Sequence, residues 1–547
     1  MPTHKGMVKL GAGLPGMLKD GYQHFSGVEE AIMRNIEAAT AISKKCRTSL
    51  GPNGMKKLVI NHLEKIFVTS DAATILKELE VVHPAANILV MACRMQESEV
   101  GDGTNLVCSF AGELLHQAGE LIRTGLHVSE IVKGYQQAYK KFKDILESQV
   151  IRTLETEKDL DVLTSTLTSV IASKQFGHES LLTPLIARAC LESMGERSDL
   201  NVDNIRVAKL LGGTLHDSSM IKGVVVLRGP MSSRKRVEDA KIAVYANEIA
   251  AAATEAKSTV LIKNADELLT YSKSEEAAIE SAIRAIADKG INMIIAGGKV
   301  SEMAGHFLEK YNIMCVRITS KFELRRICRA TGAAAQVKLT PPAPEEIGRC
   351  SLVYEKEFGS KHCVVLEQTD ANSQISTIVL RGSTMNTLDD FERAIDDGVN
   401  AVKTLNKDKR LLAGGGAVEI ECARQLLEYG QSTPGLEQYA IKKFAEALEV
   451  VPRTLAENSG KLATDVISAL YKQHNAGEQC VGVDTASDNL TFDASEAKIY
   501  DLYKTKALAF ELAMEAVLTI LRVDQIIMAK RAGGPKPRGG NPNWDED

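Results

Sequence analysis

The chain has 547 residues, of which 44% are hydrophobic and 25% charged, and its formal net charge is −5. This length and composition predict a soluble globular protein of about three domains, and the charge argues against binding nucleic acid mainly by electrostatic attraction. No apolar run approaches the roughly 20 residues of a membrane span, the first ten residues lack a signal-peptide core, and the ten cysteines, without C-x-x-C spacing, favour reduced cytosolic thiols over a zinc site.

The first 150 residues predict a helical bundle. A helical pattern extends from Val28 to about Lys45 and ends near a glycine-containing turn. Residues 105–124 place their apolar side chains on one stripe at helical spacing, and Gly125 stands where a helix commonly ends. Because little aromatic or β-branched alternation interrupts these patterns, we expect packed α-helices in this part of the chain.

The pattern changes after Asn204, where short apolar runs of strand length occur at residues 223–227, 259–262, 292–296 and 314–318. Between two of these runs, residues 275–289 carry a helical apolar stripe that ends at Gly290. Alternation of strands and helices predicts an α/β domain. The polar residues 264–276 predict a surface excursion from that domain, and residues 301–311 predict a helix with Met303, Phe307 and Leu308 in its core-facing positions.

The chain becomes helical again from Asn386. One stripe at helical spacing comprises Leu388, Phe391, Ile395, Val399 and Val402. Helical patterns then dominate to about Lys530. The tail, residues 532–547, is rich in glycine, proline and charge, so we expect it to be disordered.

Four turns that contain glycine or aspartate carry the functional signal. The first turn is residues 50–54 (LGPNG), the second 70–74 (SDAAT), the third 101–105 (GDGTN) and the fourth 414–417 (GGGA). Glycine lets backbone N–H groups approach an anion closely, and aspartate oxygens are ligands that Mg²⁺ prefers. The long gap before the fourth turn suggests one domain built from both chain ends, with other domains inserted between them.

Each of these features alone has an ordinary interpretation. The first turn is equally well a simple surface turn, and Asp102 a cap of the helix that follows it. Asp71 is compatible with a turn or cap residue, and the glycines of the fourth turn with a flexible turn. The combination of the four turns, rather than any single turn, indicates a site for a phosphate or its metal.

In this order, the four turns resemble those of the group II chaperonins, and the resemblance covers essentially the whole chain. Residues 61–65, 70–76, 523–530 and the tail ending in WDED are similar to one subunit type of the eukaryotic cytosolic chaperonin (TRiC/CCT). The resemblance implies a multidomain α and α/β chaperonin fold. Its helical equatorial domain would comprise residues 1–150 and 405–547, its hinge-like intermediate domain 151–216 and 372–404, and its α/β apical domain with a helical protrusion 217–371.

The resemblance also implies an ATP/ADP and Mg²⁺ site in the equatorial domain. Asp102 would ligate Mg²⁺, Asp71 and Asp389 would activate or orient the attacking water, and Asp501 would contact the ribose. Phosphate or sugar contacts are implied for Ser49, Leu50, Gly51, Pro52, Gly103, Thr104, Asn105, Lys174 (as a γ-phosphate sensor) and Gly415.

This chain departs from the family pattern at five positions: Ser70, Ala72, Asn105, Ala413 and Leu502. Alanine tolerates a positive φ poorly, so Ala72 leaves either an ordinary backbone angle or an altered second turn. The amide of Asn105 can still donate to a phosphate oxygen. Because Asp71, Asp102 and Asp389 are all present, we expect binding and hydrolysis.

The activity implied is ATP-driven folding of non-native cytosolic proteins such as actin and tubulin. The implied partners are seven paralogous subunits in a double ring and a prefoldin-type co-chaperone, without nucleic acid or membrane. The polar stretch 264–276 would form the built-in lid, and the helix at 301–311 would face the client. A ring member with an inert nucleotide site is an alternative, whereas a small-molecule phosphotransferase is disfavoured because P-loop and kinase motifs are absent from the sequence.

Overall fold

The computed structural model describes residues 23–25, 28–154, 159–194, 200–250, 265–359, 361–368 and 374–528. The N-terminal part is mainly helical, with one short hairpin. Its elements are β1 (Gln23–Phe25), α1 (Val28–Arg47), β2 (Lys57–Ile60), β3 (Ile66–Thr69), α2 (Ala72–Glu78), α3 (Pro84–Glu99), α4 (Thr104–Arg123), α5 (Val128–Ser148) and β4 (Arg152–Thr153).

The middle part contains most of the strands. Its elements are α6 (Leu160–Ala172), α7 (Glu179–Ser193), β5 (Ile205–Leu211), β6 (Ser219–Val226), β7 (Arg236–Tyr245), α8 (Ala265–Asp288), β8 (Met293–Ala296), α9 (Glu302–Lys310), β9 (Met314–Arg317), α10 (Lys321–Thr331), β10 (Ala335–Gln336), β11 (Gly348–Phe358), β12 (Lys361–Glu367) and β13 (Ser376–Gly382).

The C-terminal part returns to helices. Its elements are α11 (Met385–Lys407), β14 (Arg410–Ala413), α12 (Ala417–Ser432), α13 (Glu437–Leu448), α14 (Val450–Asn458), α15 (Ala463–Asn475), β15 (Val481–Val483), β16 (Thr491–Asp493), β17 (Tyr500–Leu502), α16 (Tyr503–Leu521) and β18 (Ile526–Met528).

Both ends of the chain contribute to one helical core. Helix α4 lies at its centre and is buried on almost every face, in contact with α1, α3, α13 and α16. The Phe110 ring meets Phe444 and Phe510 edge-to-face, with centroids 5.6 and 5.0 Å apart. Strand β14 pairs with both β17 and β4, so residues that are distant in sequence share this core.

Phe110 should therefore be a major determinant of stability. We expect Phe110→Ala to lower the free energy of unfolding by about 3–5 kcal/mol, because it removes a fully buried ring and two aromatic contacts. Thermal unfolding of the purified chain would measure the loss, with Phe110→Leu as a control that keeps most of the apolar volume. Equal midpoints for Phe110→Ala and the wild type would contradict this view of the core.

The strands of the middle part form a large mixed sheet. Within the described residues it has nine strands in the order β5-β13-β6-β12-β11-β7-β8-β9, with β10 paired to β7. The neighbours β7, β8 and β9 are parallel, with α8 and α9 as their connections, whereas β11 and β12 form an antiparallel hairpin. A separate apolar cluster joins α6, α7 and α11 to β5 and β13, between the sheet and the helical core.

Several sequence expectations differ from the structure in detail. The β2–β3 hairpin interrupts the predicted N-terminal bundle, and α8 begins at Ala265, so that it includes most of the predicted excursion. Phe307 and Leu308 are buried as expected, but Met303 is 39% exposed. The predicted strand at 259–262 and the tail at 532–547 lie outside the described residues. The domain boundaries stay predictions.

Candidate functional site

Three of the four turns border one cavity of about 340 Å³. The first turn contributes Leu50, Gly51 and Pro52, and the third and fourth contribute pairs of their own. The opposite walls come from the end of α6, from the β15–β16 hairpin and from the start of α16. The second turn borders an adjacent cavity of about 370 Å³, which is lined mainly by charged and polar side chains of α3, β5 and α11. The structure therefore gathers turns that are more than three hundred residues apart.

The N-termini of two helices open on the first cavity. Gly103 precedes α4 with φ 80°, and Gly416 precedes α12 with φ 81°. Neither helix start receives a side-chain cap from a described residue. The first N–H groups of a helix have no partner within it, and the helix dipole adds partial positive charge there. Both ends are thus suited to an anion such as a phosphate.

The first turn is fixed tightly against the cavity. Gly51 has φ 81°, and a Cβ atom there would lie 2.4 Å from Cδ2 of Leu455, so both conformation and space favour glycine. Asn458 donates from Nδ2 to the Leu50 carbonyl at 2.8 Å. The Ser49 hydroxyl donates to the Met55 carbonyl at 2.8 Å and does not line the cavity. The Ser49 side chain therefore supports the turn, and the phosphate contact that the resemblance implied for this residue stays a prediction.

Some residues of the third turn line the cavity, and others form hydrogen bonds within the protein. Asp102 and Gly103 line the first cavity. Thr104 donates from its hydroxyl to Oδ1 of Asp71 at 3.1 Å, and Asn105 donates from Nδ2 to the Cys46 carbonyl at 3.2 Å. One N–H of the Asn105 amide is therefore used within the protein, and its second N–H and the backbone groups of residues 103–105 are the donors that this turn could offer a phosphate.

Asp71 is the N-cap of α2 and the most highly coordinated carboxylate of the site. It accepts from the Thr74 N–H at 3.0 Å, from the Thr74 hydroxyl at 2.9 Å and from Lys174 Nζ at 3.1 Å. Ala72 is the first residue of α2 and is not among the residues with positive φ. The departure from the family pattern at Ala72 thus leaves the backbone of the second turn ordinary.

Lys174 lies between two carboxylates that belong to different parts of the chain. Its Nζ is 3.1 Å from Oδ1 of Asp71 and 3.1 Å from Oδ2 of Asp397. Burial alone would lower the pKa of Lys174, but Asp397, Asp71 and Asp102 outweigh it and raise that pKa well above its usual range. The lysine is therefore a cation that holds Asp71 and Asp397 together.

The three aspartates respond differently to this environment. Burial alone would raise the pKa of Asp71, but Lys174 and the hydrogen bonds from Thr74 outweigh it and hold that pKa well below its usual range. Burial raises the pKa of Asp102, and it raises that of Asp397 well above its usual range despite Lys174. Burial thus opposes the ionisation of Asp102 and Asp397, and a divalent cation bound nearby would favour their charged forms.

Asp71 gives the stability of the chain a defined pH dependence. Because its folded pKa is depressed, its contribution is complete above the unfolded pKa of about 3.9 and is lost as the pH falls through the folded value. We expect Asp71→Asn to lower the unfolding midpoint at pH 7, and the difference from the wild type to shrink progressively below about pH 4. Thermal unfolding between pH 7 and pH 3 tests this. A difference that persists unchanged to pH 3 would contradict it.

The structure does not bring Asp389 to this cluster. Asp389 pairs with Lys209 at 2.5 Å, and the same lysine pairs with Glu392 at 2.6 Å. Asp397 lies eight residues later on the same helix, about 12 Å further along its axis. It is Asp397, which the sequence analysis did not single out, that meets Lys174.

The ribose residue implied by the sequence, Asp501, lines the first cavity from β17. It is held by Lys506, whose Nζ is 2.7 Å from Oδ2 of Asp501 and 2.8 Å from Oε1 of the buried Glu419. Gly415 has φ 66°, and a Cβ atom there would lie 2.9 Å from the Phe492 ring. The sequence did not indicate a role for Lys506 or Glu419, because single lysine and glutamate residues are common on helices and form no motif.

A metal ion in this cavity would need ligands from a bound phosphate and from water in addition to protein side chains. Among the residues that the structure describes, no group of three or more His, Cys, Asp or Glu side chains is arranged to hold a metal. Mg²⁺ commonly uses one or two carboxylates together with phosphate oxygens and water. Asp102, which lines the cavity beside two helix N-termini, fits that arrangement.

Comparison with known proteins agrees with these features. A model of the TCP-1/cpn60 chaperonin family matches residues 42–531. T-complex protein 1 subunit theta of Bos taurus is 53% identical over 536 residues, which cover 98% of both chains. The proteins of the same name from Dictyostelium discoideum and Arabidopsis thaliana are 50% and 49% identical and cover 97–98% of this chain and 97–100% of their own. These matches confirm the predicted family, the multidomain fold class and the resemblance to one subunit type. In the described part of the chain, no helix has the length and apolar character to cross a membrane.

Proposed function

Because the chain belongs to the TCP-1/cpn60 chaperonin family, we propose that it is an ATP-hydrolysing subunit of a hetero-oligomeric, double-ring chaperonin. The observation that carries this proposal is the convergence of the first, third and fourth turns on one cavity, beside the cluster of Asp71, Lys174 and Asp397. Phosphoryl transfer to water requires a site that binds the phosphates and a group that orients the water. The helix N-termini offer the first, and the carboxylate cluster offers the second.

The cavity offers a separate contact for each part of a nucleotide. The backbone of Gly51, Pro52 and residues 103–105 would bind the phosphates, and Asp102 would hold Mg²⁺. When bound, Mg²⁺ supplies positive charge that offsets the charge developing on phosphate oxygens. Asp501, held in place by Lys506, would accept from the ribose hydroxyls, while Gly415 and the β15–β16 hairpin would enclose the sugar and base.

Hydrolysis would depend on Asp71 and Asp397. Asp71 accepts from four donor groups and carries a depressed pKa, so it is ionised at neutral pH. Because these donors fill its four lone-pair sites, it would orient a water molecule after one of them has moved away. Asp397, which lines the adjacent cavity and is 3.1 Å from Lys174, would be the second carboxylate that positions the water and accepts its proton. In this proposal Asp397 has the role that the sequence analysis gave to Asp389, because Asp397 is the residue of α11 that lies at the cluster.

The position of Asp397 would couple hydrolysis to movement. Helix α11 belongs to the apolar cluster between the sheet and the helical core, whereas Asp71 and Asp102 lie in the turns before α2 and α4, whose apolar residues belong to the helical core. A shift of α11 would move one carboxylate relative to the others and thus complete or dismantle the reactive arrangement. ATP hydrolysis can then differ between open and closed states, as a population shift requires.

The remaining parts of the proposal concern assembly and clients. We propose seven paralogous subunits as ring partners, non-native cytosolic proteins such as actin and tubulin as clients, a prefoldin-type co-chaperone, and action in the cytosol. The α/β part with α9 would contact the client, with the partly exposed Met303 as an apolar point of contact. Enclosure would limit aggregation of the apolar surface that such clients expose.

The direct test is ATP turnover and client folding by the assembled complex, with the wild-type chain and with Asp102→Ala in this chain alone. We expect the substitution to remove this subunit's share of Mg²⁺-dependent turnover and to slow the folding of a denatured actin client. Unchanged turnover and unchanged folding would show that this chain does not use its site, as expected of an inert ring member.

A further inference from the structure

We infer that Lys56, Gln175 and Asp390 form a latch that positions Asp397 for hydrolysis, without themselves touching the nucleotide. The inference rests on the proposed function and adds to it a set of positioning residues that links the first turn to α11. The contacts that support this inference lie outside the first cavity, because none of the three side chains lines that cavity.

The latch is a closed set of three short contacts. Nζ of Lys56 is 2.6 Å from Oδ2 of Asp390 and donates to Oε1 of Gln175 at 3.1 Å. Gln175 completes the set by donating from Nε2 to the same Asp390 oxygen at 2.6 Å. Each side chain therefore contacts both of the others.

Burial makes these contacts more than a surface ion pair. The Asp390 side chain is only 7% exposed, and Gln175 is also buried, whereas Lys56 is 40% exposed. Arg393, the other cation near Asp390, is 3.7 Å from its second oxygen. A buried carboxylate that loses its close cation is strongly destabilised, so α11 would be expected to shift until Asp390 reaches water or another donor.

The spacing along α11 connects the latch to the reactive cluster. Asp390 and Asp397 are seven residues apart, about two helical turns, so they project from the same face of the helix. Asp397 contacts Lys174 and Asp390 contacts Gln175, the next residue along the chain. One face of α11 is thus docked at two points onto residues 174–175, and the rotation of the helix about its axis is fixed.

Lys56 supplies the connection to the nucleotide site. It lies two residues after the first turn and immediately before β2. A change in the position of the first turn would therefore be transmitted through Lys56 to Asp390 and along α11 to Asp397. We expect loss of the latch to lower kcat and to leave nucleotide affinity unchanged, because a shift of about 1 Å in a reacting group can cost up to about a hundredfold in rate.

The experiment uses the assembled complex with substitutions in this chain alone. The turnover that Asp397→Asn removes defines this subunit's share of ATP turnover. Lys56→Met and Asp390→Asn should each reduce that share about tenfold, while the nucleotide affinity stays at the wild-type value. The double variant should be no worse than either single variant, since both act through one contact. Lys56→Arg, which keeps the charge, should restore most of the share.

Lys143→Met is the matched control, because it removes an exposed pair with Glu511 at 2.8 Å that is remote from α11. If Asp397→Asn removes no turnover, the proposed function has failed rather than the latch. If that share exists and Lys56→Met and Asp390→Asn both retain it, or if they weaken nucleotide affinity instead of kcat, the latch is refuted. Should Lys56→Met fail to assemble, Asp390→Asn decides the question, because it keeps the shape of the side chain and the hydrogen bond from Gln175.

Discussion

Replacing Asp397 by asparagine is expected to abolish hydrolysis at this subunit's site while leaving nucleotide affinity nearly unchanged. The substitution keeps the size of the side chain but removes the carboxylate that is 3.1 Å from Lys174 and has a raised pKa. Loss of a positioned general base commonly lowers a rate by about 10²–10⁴-fold. The measurement is single-turnover hydrolysis of radiolabelled ATP by complexes that carry the substitution in this chain alone, together with equilibrium nucleotide binding.

Asp389→Asn provides a control on the same helix. Asp389 is paired with Lys209 and lies about two turns from the cluster, so its substitution should leave the single-turnover rate within about threefold of the wild type. The reverse pattern, in which Asp389→Asn abolishes hydrolysis and Asp397→Asn does not, would restore the assignment that the sequence suggested. It would also require a large rearrangement of α11 before the reaction.

The second large effect is expected at Gly103. This residue has φ 80° at the start of α4, and a Cβ atom would lie 3.1 Å from both Nε2 of Gln96 and Cγ2 of Thr505. We expect Gly103→Ala to weaken nucleotide binding at least about tenfold, because a left-handed conformation costs a residue with a side chain roughly 1–2 kcal/mol and the turn would relax away from the phosphate. Titration of a fluorescent ATP analogue in the presence of Mg²⁺ measures this loss.

Gly125 allows the backbone effect to be separated from the effect on the site. It follows the other end of α4 with φ 93°, and a Cβ atom there would have no neighbour within 4 Å. Gly125→Ala therefore introduces the same kind of backbone strain on the same helix without approaching the cavity. It should bind nucleotide normally, and equal weakening by both substitutions would show that strain in α4, rather than the third turn itself, determines affinity.

Sequence analysis predicted well where local chemistry determines the structure. The four turns lie at helix or strand boundaries as expected, and α4 has the stripe that its spacing predicted. Strands were harder, because β11 alternates buried and half-exposed residues irregularly and pairs with β7, far away in sequence. The β2–β3 hairpin was missed because the exposed positions Leu58 and Ile60, on either side of the buried Val59, are also apolar, so that the sequence shows no alternation of apolar and polar residues.

The reactive carboxylate on α11 shows where sequence analysis reached its limit. Asp390 and Asp397 lie roughly opposite Leu388, the first member of the apolar stripe, on the face where periodicity predicts solvent. Asp389 lies nearer the stripe and is no less plausible from spacing alone. What buries Asp390 and brings Asp397 to the cluster is the docking of residues 174–175 and of Lys56 on that face, and such a tertiary contact leaves no periodic signal in the sequence.

Other contacts of the site also could not be predicted from the sequence. The Asn105 amide was expected to be available to phosphate, but in the structure one of its N–H groups donates to the Cys46 carbonyl at the end of α1. The support of Asp501 by Lys506 and Glu419 joins β17, α16 and α12. These arrangements depend on which helices and strands become neighbours in the fold. The local patterns of a single sequence do not predict such tertiary contacts.

The most direct test of the central claim, that the cavity between the starts of α4 and α12 is an ATP site, is an electron cryomicroscopy map of the assembled complex. The complex would be prepared with Mg²⁺ and a nonhydrolysable ATP analogue. We expect phosphate density against the first and third turns, metal density at Asp102 and ribose density at Asp501. A map in which the neighbouring subunits hold nucleotide but this cavity holds none would contradict it.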